Sequence, residues 1–122
     1  MAAVETYRQL VEAQDARQAI APIAVSLLDY AGFRYDALAQ SPKVDWIAMR
    51  NTAQYARRQF DAIAPAIKSG ALRDVTSQSI AAMDKAVETR NVPFARNSAA
   101  TELAIVDLLE EYFVDHPVRS KK

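Results

Sequence analysis

Apolar side chains recur at helical spacing along almost the whole chain, and few residues interrupt the pattern. Only two glycines and five prolines occur in 122 residues. Apolar residues three and four positions apart share one face of a helix, whereas strands alternate with a period of two, which no segment of this chain shows. The spacing therefore predicts an all-α protein.

Turn-forming residues divide the chain into four predicted helices. Ser41 is expected to cap the second helix, with Pro42 in its first turn. Gly70 is expected to end that helix, and the segment 91–93 separates the third helix from the fourth. We predict one domain over 1–122, an up-down-up-down four-helix bundle with helices at about 3–40, 42–69, 71–91 and 93–115.

Two of these segments carry long apolar stripes, which are typical of helices buried along one side in a bundle. In the second segment the stripe is Trp46, Met49, Ala53, Ala56, Phe60, Ile63 and Ile67. In the fourth segment it is Ala95, Ala99, Leu103, Val106, Leu109 and Phe113. We expect both stripes to supply the core.

The first predicted helix is much longer than the helices it would pack against, so they cannot cover its whole length. As one helix it measures about 57 Å, against about 30 Å for the third segment. Its apolar stripe must be covered, and Pro22 and Gly32 are positions where it can bend. We predict a long first helix kinked near Pro22. In that case the first turns fold back as a separate short helix. The alternative is that they pack on a second chain, either a second copy in a homodimer or a different protein partner.

Residue types that mark a chemical site are scarce. The chain has no cysteine and one histidine, His116. Metal sites in helical bundles need Glu-x-x-His pairs on facing helices, and zinc needs three or four ligands. Gly-x-Ser-x-Gly turns and glycine-rich phosphate loops do not occur in the sequence. We therefore expect no catalytic residue, no metal, no cofactor and no enzymatic activity. An enzyme built only on carboxylates and arginines is the least favoured alternative.

Charge and hydropathy exclude further classes. Fifteen basic and fifteen acidic residues balance, whereas nucleic-acid binding needs clustered positive charge. No apolar stretch approaches the roughly 18 residues of a membrane span. We expect no nucleic-acid partner and no membrane span. Met1-Ala2-Ala3 leads directly into amphipathic sequence, so we expect no signal peptide in this sequence. A mature chain from which a leader has been removed gives the same pattern.

One group of side chains is a candidate site for a small molecule. Arg50 and Arg57 lie on one edge of the second helix beside its apolar stripe, as a cationic lip that holds a carboxylate over an aromatic pocket between helices one, two and four. The alternative is a solvated flank paired with acids of a neighbouring helix. The candidate ligand-binding residues are Tyr35, Trp46, Arg50, Arg57 and Phe60.

One acid lies close to the stripe of the fourth helix. Glu102 directly precedes Leu103. Two interpretations remain open: a half-buried acid with a perturbed pKa, or an acid at the edge of the core that pairs with Arg57 or Arg96.

Two stretches show family resemblances. The motifs AAMDKAV at 81–87, AA at 99–100 and LLEEYF at 108–113 resemble small bacterial helical-bundle proteins that are mostly exported and of unassigned function. Asp45-Trp46 with Arg50-Asn51 is similar to the start of the second helix in PsbQ-type photosystem subunits, which are also four-helix bundles. Both resemblances imply an extracytoplasmic bundle without catalytic residues.

The predicted function is a non-catalytic interaction or sensory module in the bacterial periplasm. It follows from the scarcity of reactive groups and from the unpaired apolar length of the first segment. The alternative is a protein that binds a small carboxylate or aromatic molecule between its helices.

Overall fold

The described part of the chain is almost entirely helical. The computed structural model describes residues 4–5 and 20–117, and no strand occurs among them. The helices are α1 (Ile20–Ala39), α2 (Trp46–Ile63), α3 (Gly70–Glu88) and α4 (Val92–Asp115). A 3-10 turn, Ala64–Ala66, follows α2, and Val4 and Glu5 are also helical. The predicted all-α class is confirmed.

The four helices form a bundle. α1 packs on α2 and α4, and α3 packs on the same two helices from the other side. Short connections join consecutive helices, as in bundles whose neighbouring helices run antiparallel. Within residues 4–5 and 20–117, no helix combines the length and the apolar character that crossing a membrane requires.

Part of the prediction for the first helix lies outside the described residues. The proposed kink near Pro22, the continuity of the helix before Ile20 and the homodimer contact all depend on residues 6–19. Within its described part, α1 is unbroken and passes through Gly32 without interruption.

The predicted start of the second helix is wrong. Asp45, with extended backbone, caps α2, and its carboxylate accepts a hydrogen bond from Ala48 N at 3.0 Å. Ser41 instead donates to Lys43 O at 3.0 Å, inside the connection that contains Pro42. Asp and Ser cap helices equally well, and Asp45 stands directly before the apolar stripe, where the helix has to begin in order to bury it.

The predicted end of the second helix, at 69, is also wrong. α2 ends at Ile63, because Pro65 has no N–H to continue the hydrogen-bond ladder and the chain tightens into the 3-10 turn. Gly70 starts α3 rather than stopping α2. Ser69 caps this helix by accepting a hydrogen bond from Leu72 N at 3.2 Å.

The buried apolar residues of the described chain form two clusters along the bundle. The first core cluster includes Leu28, Ala31, Phe60, Ile80, Ile105 and Val106. The second core cluster includes Tyr35, Met49, Met83, Val87, Ala95 and Ala99. Glu102 is buried on α4 between Ala99 of the second cluster and Ile105 of the first. A carboxyl group therefore separates the two clusters on this helix.

The predicted stripes are largely buried. In the second segment every stripe member is buried except Trp46, which is half-buried. In the fourth segment Leu103 is half-buried, because Glu102 takes the core position one residue earlier.

Candidate functional site

A polar cleft lies between α1 and α2 and includes one residue from the beginning of the chain. Its volume is about 580 Å³. It is lined by Glu5, Tyr30, Arg34, Ala48, Asn51, Thr52, Tyr55 and Arg58. Among the described residues, the lining combines two guanidinium groups, two phenol rings and one carboxylate.

Helical spacing brings these side chains together. Tyr30 and Arg34 lie one turn apart on α1, while Asn51 and Tyr55 lie one turn apart on α2. Thr52 joins the two helices, since its hydroxyl oxygen accepts a hydrogen bond from Arg34 Nε at 3.3 Å. The same hydroxyl donates to a backbone carbonyl one turn earlier at 2.8 Å. Arg34 is therefore held in place at one edge of its guanidinium group.

The other edge of Arg34 binds a carboxylate of the same chain. Arg34 Nη1 donates to Glu5 Oε1 at 2.8 Å, and the Tyr30 hydroxyl donates to the same oxygen at 2.7 Å. Hydrogen bonds to an ionised carboxylate are shorter and stronger than neutral ones. Two donors from α1 thus converge on one carboxylate oxygen and form an anion-binding position.

Aromatic rings form the rest of the cleft wall. The rings of Tyr30 and Tyr55 meet edge to face, with centroids 5.6 Å apart and planes at 82°. The Arg58 guanidinium carbon lies 5.8 Å from the Tyr55 ring centroid, within cation–π range. The described lining residues hold two arginines and one glutamate, so the described side chains of the cleft together carry one positive charge.

The five predicted ligand-binding residues are spread over both core clusters and along the length of α2. Tyr35 is fully buried in the second core cluster and donates to Met83 O at 2.7 Å, whereas Phe60 belongs to the first core cluster. Trp46 lies fourteen residues before Phe60 on the same helix, or about 21 Å along its axis. Ligand contact by these residues stays a prediction.

Arg57 contacts the neighbouring helix α3, and the charges of Arg50 and Arg57 act on Asp84 of that helix. Arg57 donates to Ser77 Oγ at 2.9 Å and to Ser77 O at 3.0 Å. Burial raises the pKa of Asp84 on α3, and the positive charges of Arg57 and Arg50 act in the opposite direction. This geometry favours the alternative of a helix flank paired with a neighbour over the cationic lip.

Glu102 is more deeply buried than either interpretation of the sequence implies. Its exposed fraction is 1%, and neither carboxyl oxygen has a hydrogen-bond partner within the described chain. Burial, and then the negative charge of Asp29, raise its pKa well above the usual range. The predicted pairing with Arg96 is wrong, because that side chain donates to Asp36 at 3.3 Å on the surface. Glu102 is therefore a buried carboxylic acid that favours its neutral form.

Sequence reasoning missed Arg34 and Arg58 as site residues. The signal was present as helical spacing, since Arg34 follows Tyr30 by four positions and Arg58 follows Tyr55 by three. Each pair places an arginine beside a phenol on one face of a helix. The two pairs form one site only if these faces of α1 and α2 pack together, and the sequence does not show which helix faces pack together.

The described residues contain no cluster of side chains that could bind a metal ion. Among residues 4–5 and 20–117, no three His, Cys, Asp or Glu side chains are placed together to hold a metal ion.

Comparison with known protein families, with curated proteins and with solved structures found no match to this chain.

Proposed function

We propose that this protein is a non-catalytic sensory or interaction module that binds a small molecule through its carboxylate, and that the α1–α2 cleft is the binding site. One observation carries the proposal: Arg34 and Tyr30 both donate to a single carboxylate oxygen, that of Glu5. A position that holds a carboxylate of the chain has the donors and the charge to hold that of a ligand.

The chemistry of the donors suits a carboxylate. A guanidinium group is permanently charged and presents its donors in a fixed plane. Arg34 is oriented by Thr52 before any ligand arrives, so less side-chain freedom is lost on binding. Arg58 adds a second positive charge in the same cleft. These features favour an anion over a neutral or cationic ligand.

The size and the walls of the cleft suit a small aromatic or branched acid. Sites for small molecules occupy about 300–1,000 Å³, and this cleft of about 580 Å³ falls in that range. The rings of Tyr30 and Tyr55 offer apolar surface beside the anion position, while Asn51 and Thr52 offer polar contacts. Benzoate, which joins a flat ring to a carboxylate, is therefore a suitable probe.

The test is an NMR titration of the full chain with benzoate at neutral pH. We expect saturable shifts at the Arg34 side-chain Nε–H and at the amides of Asn51 and Thr52. Arg34→Met should weaken binding at least about tenfold, because hydrogen bonds to a charged group are lost. Arg57→Met, which removes the same charge outside the cleft, should bind like the wild type.

Benzylamine is the matched ligand control, because it keeps the ring and reverses the charge. It should cause no saturable shift in the cleft. Equal binding of benzylamine and benzoate, or equal losses in Arg34→Met and Arg57→Met, would contradict a carboxylate site at Arg34.

A further inference from the structure

The ion pair between Glu5 and Arg34 is partly exposed to solvent. The Glu5 side chain is 33% exposed and the Arg34 side chain 26% exposed, so solvent reaches both partners of the ion pair. A partly exposed ion pair contributes modestly to stability, because water competes for both charges. A dissolved carboxylate can therefore take the place of Glu5 on Arg34 and Tyr30.

Glu5 is held at the cleft by the packing of its neighbour Val4 as well as by its ion pair with Arg34. Val4 is half-buried and packs against the first core cluster. This contact places Glu5 at the cleft, 25 residues before Tyr30 and 29 before Arg34 along the chain. Val4 thus packs an apolar group on the first core cluster, while Glu5 places an anionic group in the cleft.

We infer that Glu5 is a resident competitor for the cleft, and that a ligand carboxylate binds by displacing it from Arg34 and Tyr30. The inference rests on the proposed carboxylate-binding function. Ligand binding and Glu5 docking then exclude each other, so each weakens the other by the same factor. Ligand binding in the cleft therefore releases Val4 and Glu5. Their release changes the surface that the protein presents to a partner.

The first test compares benzoate affinity in the full chain and in Glu5→Gln. Removing the competitor raises the fraction of molecules whose cleft is ready to bind. We expect Glu5→Gln to bind benzoate about three- to tenfold more tightly, the factor set by a partly exposed, charge-assisted contact. Glu88→Gln is the control, because it removes the same charge from an exposed residue that pairs with Lys85 on α3. Its affinity should equal that of the wild type.

Val4→Ala separates displacement from simple charge attraction. It weakens the seat of Glu5 without changing any charge in the cleft, and it should also tighten benzoate binding. In the wild type, the amide signals of Val4 and Glu5 should shift with the same saturation curve as the Arg34 side-chain signal.

The outcomes distinguish this inference from the proposed function. If benzoate binds to the wild type while the Val4 and Glu5 signals stay unchanged at saturation, the inference is overturned and the carboxylate site stands. Tighter binding in Glu5→Gln but not in Val4→Ala shows a charge effect without displacement and also overturns it. If benzoate binds to none of the variants, both proposals fail.

Discussion

The carboxyl group of Glu102 packs against the backbone of Gly32 where α1 meets α4. A Cβ atom at Gly32 would overlap Glu102 Oε1, and would lie 2.7 Å from Leu103 Cδ2. The absence of a side chain at Gly32 thus creates the space in which Glu102 is buried. This contact lies between the two core clusters, so α1 and α4 accommodate a carboxylic acid at Gly32 instead of an apolar side chain.

Burial without a partner has an energetic consequence for Glu102. An ionised carboxylate in an apolar environment is strongly unfavourable, so the group keeps its proton instead. Asp29 adds a negative charge nearby and acts in the same direction. The neutral acid is the form compatible with this packing, and it couples the stability of the fold to pH.

Gly32→Ala should destabilise the protein by about 1–3 kcal/mol, the usual cost of forcing extra volume into a packed interface. The higher helix propensity of alanine offsets at most about 1 kcal/mol of this cost. Urea unfolding monitored by circular dichroism measures the change. Gly70→Ala is the control, since the nearest atom to its added Cβ is an Arg73 guanidinium nitrogen at 3.6 Å. We expect its effect to stay within about 0.5 kcal/mol. Equal losses in both variants would contradict the close contact.

The contribution of Glu102 to the free energy of unfolding should fall as pH rises above the ordinary glutamic acid pKa of 4.5. Below that pH, Glu102 is protonated in both the folded and the unfolded chain and contributes no pH dependence. Above it, the unfolded chain loses the proton while the folded chain retains it, so stability decreases until the raised folded pKa is passed. The slope contributed by this one group is at most about 1.4 kcal/mol per pH unit.

Glu102→Gln isolates that contribution, because glutamine has a similar shape and does not titrate. Relative to the wild type, the variant should gain stability steadily as pH rises from about 4.5. Denaturant titrations at several pH values measure the difference. Glu110 is largely exposed, but partial loss of solvent around its carboxyl group, and then the negative charges of Asp29 and Asp107, also raise its pKa. Glu110→Gln should therefore show a smaller difference of the same sign. A pH-independent difference between wild type and Glu102→Gln would show that Glu102 does not stay protonated.

Ser69→Ala should cost about 0.5–2 kcal/mol, because it removes the side chain that accepts from Leu72 N at the start of α3. Ser41→Ala should change stability by less than about 0.5 kcal/mol, since that hydroxyl contacts only a loop carbonyl in the described structure. Thermal unfolding of the two serine variants compares them directly. A larger loss at Ser41 would favour the helix start that the sequence alone suggested.

Much of the fold follows from local patterns. The apolar stripe from Met49 to Ile63 is buried as predicted, because positions three and four apart must share a helix face. Asn91 and Pro93 mark the start of α4 correctly, with Asn91 Oδ1 accepting from Phe94 N at 3.0 Å. The errors fall at Ser41 and Gly70. Ser41 and Asp45 are both good helix caps, and packing selects Asp45. Pro65 and Gly70 can both end a helix, and the chain ends α2 before Pro65.

The candidate site was less accessible to sequence reasoning. Arg57 flanks the most regular stripe and is therefore a candidate from the sequence, yet it donates to Ser77 on the next helix. Arg34 flanks no such regular stripe, although it binds Glu5. Nothing in the sequence shows which partner stands opposite a charged side chain, because the two lie 20 to 29 positions apart and meet only after the helices pack.

The all-α class and the buried faces of the helices follow from local sequence, since both depend on side-chain period and backbone preference within a few residues. The convergence of Tyr30 and Arg34 on one carboxylate, and the burial of Glu102 beside a glycine, arise only when the helices pack. Both depend on the distance and rotation between packed helices. Those quantities are set by the summed shapes of many side chains, which no local segment of sequence contains.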